Sequence, residues 1–195
     1  MKRAFVFGNG KTRLNIDFDE VKPYGQIYAC NAVYRTYAPD YLIAVDRKML
    51  DEISLNGYQN KHPVYTYFNV HKKHLLGFNL IEPNLGWSSG PSAIFLACSH
   101  KVDEIYLFGF DYEGIDGLIN NVFAGTENYR GKDQKPVYYQ NWLRQTDTVV
   151  KDNPKIQFTR VTIPNFYETK FNYENYYQIF YDDFKKIMSK WQKIR

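Results

Sequence analysis

The sequence predicts an α/β fold: a single Rossmann-like domain with a mostly parallel sheet, a lid-like loop and a C-terminal amphipathic helix. Three observations lead there. Short apolar runs alternate with helix-like segments along the chain, the pattern that βα units produce. The first run ends at Gly8 and the strongest late one at Gly109, residues suited to the tight turns that close strands. The chain has 195 residues, 44% of them hydrophobic, and two full domains would each be short of a core. Residues 1–195 are therefore one domain, with 111–140 as a lid-like insertion and 172–195 as the terminal helix.

Arg3–Phe7 (RAFVF) reads as the first buried strand. Gln26–Ala29, Tyr41–Val45 and Val64–Tyr67 read as the next three, and Glu104–Phe108 (EIYLF) as the clearest later one. Ile156–Val161 reads as the last. Ser92–His100 is a helix that Ser88-Ser89-Gly90-Pro91 opens, because Pro suits a first turn and Ser caps exposed amides. A weaker helix spans about Asn141–Lys151. The stretch Asp111–Gln140 is polar and rich in Gly and Asn, and a loop of that length inside a domain is usually functional. In the tail, Tyr173, Tyr177, Phe180, Phe184, Ile187 and Trp191 recur at three- and four-residue spacing. Its other face carries Lys185, Lys186, Lys190 and Lys193. Such a helix either packs on the core or lies on a membrane surface or partner.

Composition narrows the function. No run approaches the ~18 apolar residues of a membrane-spanning helix. The opening MKRAFVFGNG meets glycine too early for a secretory signal. Cys30 and Cys98, both in apolar stretches, read as reduced buried thiols, which fits the cytoplasm. The net charge of +4 is mild and dispersed, so nucleic acid is not an expected partner. The 18 Tyr, 14 Phe and 3 Trp are in excess, which stacking surfaces or an AT-rich genome would each explain.

Parallel sheets bind ligands at the carboxyl ends of their strands, and the informative residues fall there. Gly8-Asn9-Gly10 follows the first strand, and Lys11-Thr12 extends it. Phe5 stands where a phosphate loop needs its first Gly, and Arg13 where a dinucleotide fingerprint needs its third. What remains is a tight turn whose amides suit an anion, with Asn9 offering both donor and acceptor. Ser88, Ser89 and Gly90 open a helix and form a second anion cradle, or a plain capping turn. Asn31 ends the second strand as a loop organiser or a ligand contact. Asp46 and Asp111 follow strands directly, as helix caps, bases or metal ligands. His62, His71, His74 and His100 lack metal-like spacing, and no metal ligand set is proposed.

Together these residues resemble the bacterial, Campylobacter-type sialyltransferases of glycosyltransferase family 42. That family shows a strand followed by Gly-Asn-Gly, similar to Val6-Phe7-Gly8-Asn9-Gly10. A Cys-Asn after the second strand is similar to Cys30-Asn31, and a Thr-Ser-Gly before a central helix to Ser88-Ser89-Gly90. Glu-Ile-Tyr-Leu then Gly-x-Asp is similar to Glu104–Leu107 and Gly109-Phe110-Asp111. Residues 3–115 carry the likeness. Related Rossmann-like proteins, pterin pyrophosphokinase-like and small bacteriophage proteins among them, share the elements; a phage origin would mean the host cytoplasm.

The resemblance implies a cytidine nucleotide held by Gly8, Asn9, Gly10, Asn31, Ser88, Ser89 and Gly90. It implies donor phosphate steadied by tyrosines, of which Tyr112 and Tyr129 are nearest, and Arg130 is a further cation beside them. The family's amide is replaced by Asp46. Its catalytic His, in Tyr-x-Gly-His-Ser, is replaced within Tyr138-Tyr139-Gln140-Asn141-Trp142, and Asn141 cannot take a proton at neutral pH. Asp46 or Asp111 then stands in as base. The expected function is transfer of a sugar from a nucleotide-sugar donor, with no further cofactor. A non-catalytic nucleotide-sequestering protein and a pterin-type diphosphotransferase are the alternatives. A homo-oligomer is open.

Overall fold

The computed structural model describes residues 1–68, 76–114, 116–137, 139–164, 166 and 171–193. Eight strands form one sheet: β1 (Arg3–Phe7), β2 (Gln26–Cys30), β3 (Tyr41–Ile43), β4 (Val64–Thr66), β5 (Asn79–Leu80), β6 (Glu104–Phe108), β7 (Gln157–Thr162) and β8 (Tyr176–Phe180). Their order is β5-β4-β3-β2-β1-β6-β7-β8, and every neighbouring pair is parallel. The chain builds outward from β1 in one direction, then returns to lay β6 on its other side. The strand order therefore reverses between β1 and β6, which opens a crevice beyond their carboxyl ends.

The helices α1 (Phe18–Val21), α2 (Arg47–Leu55), α3 (Ser89–Ser99), α4 (Tyr139–Asp152) and α5 (Tyr181–Met188) cover both faces. The period-two alternation of the central strands feeds two cores. Ala4, Val6, Ile105 and Leu107 pack with Ala93, Ala97 and Val149 of α3 and α4. Phe5, Phe7, Tyr106 and Phe108 pack with Leu50 and Ile53 of α2 and Phe184 of α5. Burial on both faces is why these strands read as continuous apolar runs. Among the described residues no helix is long and apolar enough to cross a membrane.

Two expectations about the tail are corrected. The predicted helix from residue 172 begins only at Tyr181, and β7 is not the last strand. Tyr176–Phe180 instead pairs in parallel with β7, Phe158 opposite Tyr176 through Thr162 opposite Phe180. Aromatic spacing of three and four fitted a helix, but the YYQIF stretch also suits a strand, and the open edge of β7 decides it. The Asn175 side-chain amide fastens the entry by donating to the carbonyls of Val150, Asn153 and Ile156 at 3.0–3.3 Å. The eight-residue α5 turns Phe184 fully into the core, while Phe180 before it and Ile187 on it stay exposed. Trp191 returns to lie under Arg3, whose guanidinium carbon is 4.1 Å from the ring centroid.

Smaller differences follow from turn geometry. Helix α3 starts at Ser89, three residues before the sequence reading, because Ser88 already sits at its N-cap. Strand β5 is two residues long and carries no periodicity to read. His71 and His74 lie outside the described residues. Cys30 and Cys98 are both buried and unpaired.

Candidate functional site

A cavity of about 560 Å³ opens at the β1–β6 crevice, and all twelve residues singled out from the sequence line it. Gly8, Asn9 and Gly10 come from the end of β1, Asn31 from β2, and Asp46 from the entry to α2. Ser88, Ser89 and Gly90 come from the start of α3, Asp111 and Tyr112 from the end of β6, and Tyr129 and Arg130 from the long loop. The size is that of a small-molecule or cofactor site.

The glycines are there for the protein's own backbone. Gly8 N–H donates to Phe108 O at 2.8 Å and Gly10 N–H to Gly109 O at 2.9 Å. A Cβ on Gly8 would fall 2.6 Å from Gly109 O, and one on Gly10 would collide with the Asp111 carboxylate. The turn read from sequence as open to a ligand is thus packed against the β6 turn, with Asn9 between its two glycines.

Asn9 is 8% exposed. Its Nδ2 donates to Cys30 O at 3.3 Å and to the Tyr129 hydroxyl at 3.2 Å, while its Oδ1 is buried without a partner. A buried amide oxygen left unpaired in a cavity wall calls for a donor from outside the protein. Asn31, with φ of 56°, occupies the left-handed region that Asn tolerates. Its Oδ1 accepts from Ser89 Oγ at 2.9 Å, and Ser89 Oγ in turn accepts from Val45 N at 3.2 Å.

The two serines therefore differ. Ser89 is buried and ties the ends of β2 and β3 to the start of α3. Ser88 makes no side-chain cap bond, so no hydroxyl shields the first-turn amides of α3. Ser88 N is held separately by Gln145 Oε1 at 3.1 Å. Pro91 has no amide to offer, which leaves those of Ser89 and Gly90 at the positive end of an eleven-residue helix.

The two carboxylates differ as sharply. Asp111, 5% exposed, accepts from Thr12 N at 3.1 Å, from Thr12 Oγ1, and from Asn120 Nδ2 at 2.6 Å. Burial pushes its carboxyl up from the ordinary value, against the opposing pull of Thr12, Arg160 and Asn120. It staples the β1 turn, the β6 end and the long loop into one unit. Asp46 sits at the N-cap of α2 but makes no cap bond. Among the described residues its carboxylate has no hydrogen-bond or ion-pair partner.

Tyr112 is 5% exposed, with the Arg160 guanidinium carbon 5.5 Å from its ring centroid, and burial pushes its hydroxyl up to about 12. The Tyr129 hydroxyl accepts from Asn9 Nδ2 and, at 3.3 Å, from Ala32 N. Burial raises its pKa also. Arg130 is exposed, and its guanidinium has no partner among the described residues. Among the described residues, the groups left with free capacity include Asn9 Oδ1, the Ser88 hydroxyl, the amides of Ser89 and Gly90, the Asp46 carboxylate and Arg130. Among the described residues no three His, Cys, Asp or Glu side chains gather as a metal site.

Sequence reading missed Trp87 and Trp142, which line the cavity beside Pro91 and Val137. Their adjacency to Ser88 and to Asn141 was the available signal. Asn120 and Asn121 were also missed; they join the loop to the β1 turn through Lys11 N to Asn120 O and an isolated bridge between Gly10 and Asn121.

No family model matches the sequence, and no curated protein matches it. The structure is similar to solved sialyltransferases. With the monofunctional α-2,3-sialyltransferase Cst-I of Campylobacter jejuni the TM-score is 0.59 at 14% identity, covering 85% of this chain and 77% of that one. With the sialyltransferase CST-II in complex with a trisaccharide acceptor and CMP it is 0.52 at 15% identity, covering 99% and 100%. With CstII from Campylobacter jejuni bound to CMP-3FNeuAc it is 0.51 at 14% identity, covering 85% and 83%. The chain shares the fold of these enzymes.

Proposed function

We propose that the cavity binds a nucleotide-sugar of the cytidine type and that the protein transfers the sugar to an acceptor hydroxyl. The observation that carries this reading is Asn9, which lines the cavity with a buried, unpaired side-chain oxygen, beside an uncapped helix start in the same cavity wall. An acceptor for a base or ribose donor thus sits near donors for a phosphate. The shared fold with enzymes solved with CMP and a CMP-sugar supports the nucleotide class.

In the proposed reaction the α3 amides, the Ser88 hydroxyl and Arg130 hold the donor phosphate. As the acceptor oxygen bonds to the anomeric carbon, Asp46 takes its proton. The bond from that carbon to the phosphate oxygen breaks, and its electron pair leaves on the nucleotide. The positive helix end and Arg130 stabilise that departing charge. Asp46 is preferred to Asp111 as base because its carboxylate serves no donor among the described residues. Incubation with radiolabelled cytidine nucleotide-sugar and a panel of glycan acceptors tests this. Labelled product from the wild type and none from Asp46→Asn supports it; label that stays on the donor in both refutes transfer.

A second reading, nucleotide binding without catalysis, is favoured by Asn141, exposed in the first turn of α4 where the resemblance places a catalytic His. It predicts nucleotide affinity with no release of free nucleotide from the donor.

A further inference from the structure

Arg35 and Glu52 line no part of the central cavity, yet they hold one of its walls. Arg35 grips Glu52 with both ends of its guanidinium, Nε to Oε1 at 2.7 Å and Nη2 to Oε2 at 2.6 Å. Glu52 Oε1 also accepts the Tyr34 hydroxyl at 2.5 Å, and Oε2 the Asn128 amide at 2.6 Å. Arg35 reaches the loop as well, Nη1 to Thr126 Oγ1 and Nη2 to Glu127 O, both at 3.0 Å. Its guanidinium carbon lies 5.9 Å from the Phe123 ring centroid and 6.0 Å from that of Tyr129. Buried Arg13 flanks Phe123 from another direction at 5.7 Å.

One ion pair thus reaches five loop residues between 123 and 129. The last of them is Tyr129, whose hydroxyl meets Asn9. A forked Arg–carboxylate pair fixes orientation as well as distance. The two side chains are only 22% and 13% exposed, so salt and water loosen the pair less than a surface one. The other arm of the loop is held differently. Among the described residues, 131–137 make no side-chain bond to the body of the protein, and Gln134 O meets only the loop's own Ile119 N.

We propose that Arg35 and Glu52 are positioning residues for ligand binding: by clasping residues 123–129 they keep the Tyr129 hydroxyl on the Asn9 amide. Asn9 Oδ1 is thereby kept free and oriented for the ligand. The inference rests on the nucleotide reading of the cavity. It makes the 123–129 arm a fixed wall rather than the moving part of a lid.

The test uses Glu52→Gln and Arg35→Lys, with Thr126→Val as a milder change that leaves the ion pair intact if either of the others misfolds. Amide hydrogen exchange is followed in the free protein, and cytidine monophosphate affinity by calorimetry. Exchange should quicken across 123–130 and stay unchanged in β1 and β6. Affinity should weaken about tenfold, and adding Glu52→Gln to Tyr129→Phe should weaken it no further. Unchanged exchange across 123–130 overturns the clasp. Faster exchange with unchanged affinity, or losses that add, overturns its role in binding. A wild type that binds no cytidine monophosphate instead overturns the nucleotide reading, and positioning for it, while the exchange result still decides the clasp.

Discussion

The side-chain amide of Asn9 donates to the hydroxyl of Tyr129 at 3.2 Å, joining residues 120 positions apart in the sequence. This bond braces the cavity wall: it ties the turn after β1 to the long loop and directs the other end of the Asn9 amide, the unpaired Oδ1. Tyr129→Phe would leave Asn9 Nδ2 with Cys30 O alone and take the acceptor from Ala32 N–H. The expected cost is about 1–3 kcal/mol, a fall of roughly 2–12 °C in Tm at 2–4 °C per kcal/mol. Thermal unfolding followed by circular dichroism checks it.

Ser88 and Ser89 are neighbours with opposite predicted phenotypes. Ser89→Ala removes the hydroxyl that joins Asn31 to Val45 and should cost about 1–2 kcal/mol of stability. Ser88→Ala removes a hydroxyl with no partner among the described residues and should change stability by no more than about 0.5 kcal/mol. Ser88→Ala should instead weaken cytidine monophosphate binding. Paired unfolding and calorimetric titrations separate the two effects.

Asp111 and Asp46 divide in the same way. Asp111→Asn places an amide against Thr12 N–H and the Asn120 amide, donors that need an acceptor, and should cost about 2–4 kcal/mol. Asp46→Asn should leave folding and nucleotide affinity unchanged while lowering transfer on the order of 10²–10⁴-fold. Rate loss without stability loss identifies the base. The reverse pattern would assign Asp46 a structural role.

Alkaline pH should unfold the protein through its buried tyrosines. Burial raises the Tyr106 and Tyr112 hydroxyls to about 12, above the ordinary value of 10. Their folded pKa exceeds their unfolded one, so the stability they contribute is full below pH ~10 and is lost as pH rises toward ~12. Tyrosinate absorbance and circular dichroism should therefore change together in that window. Ionisation of these residues at pH ~10 without unfolding would contradict their burial.

The sheet centre and the ligand edge were legible because strands β1, β2 and β6 are buried on both faces and end at Gly8, Cys30-Asn31 and Gly109. Parallel topology then brings those ends together whatever the loops do. The roles within the site were not legible. Nothing local distinguishes Ser88 from Ser89, or Asp46 from Asp111; bonds to partners 44–99 positions away do. Tail residues 176–180 were misread because aromatic spacing of three or four is compatible with a strand when a sheet edge is waiting. The Arg35–Glu52 clasp left no sequence signal, since its geometry depends on a long loop folding back over the turn at Asn31–Arg35 and over α2.

The central claim is that the cavity is a nucleotide site, and thermal shift against a panel of nucleotides tests it most directly. At 100 times its Kd a ligand adds ~2.7 kcal/mol, a rise of roughly 5–10 °C at 2–4 °C per kcal/mol. Cytidine nucleotides should produce that rise in the wild type, and Asn9→Ala, which removes the orphaned oxygen, should abolish it. A flat response to every nucleotide would contradict the account.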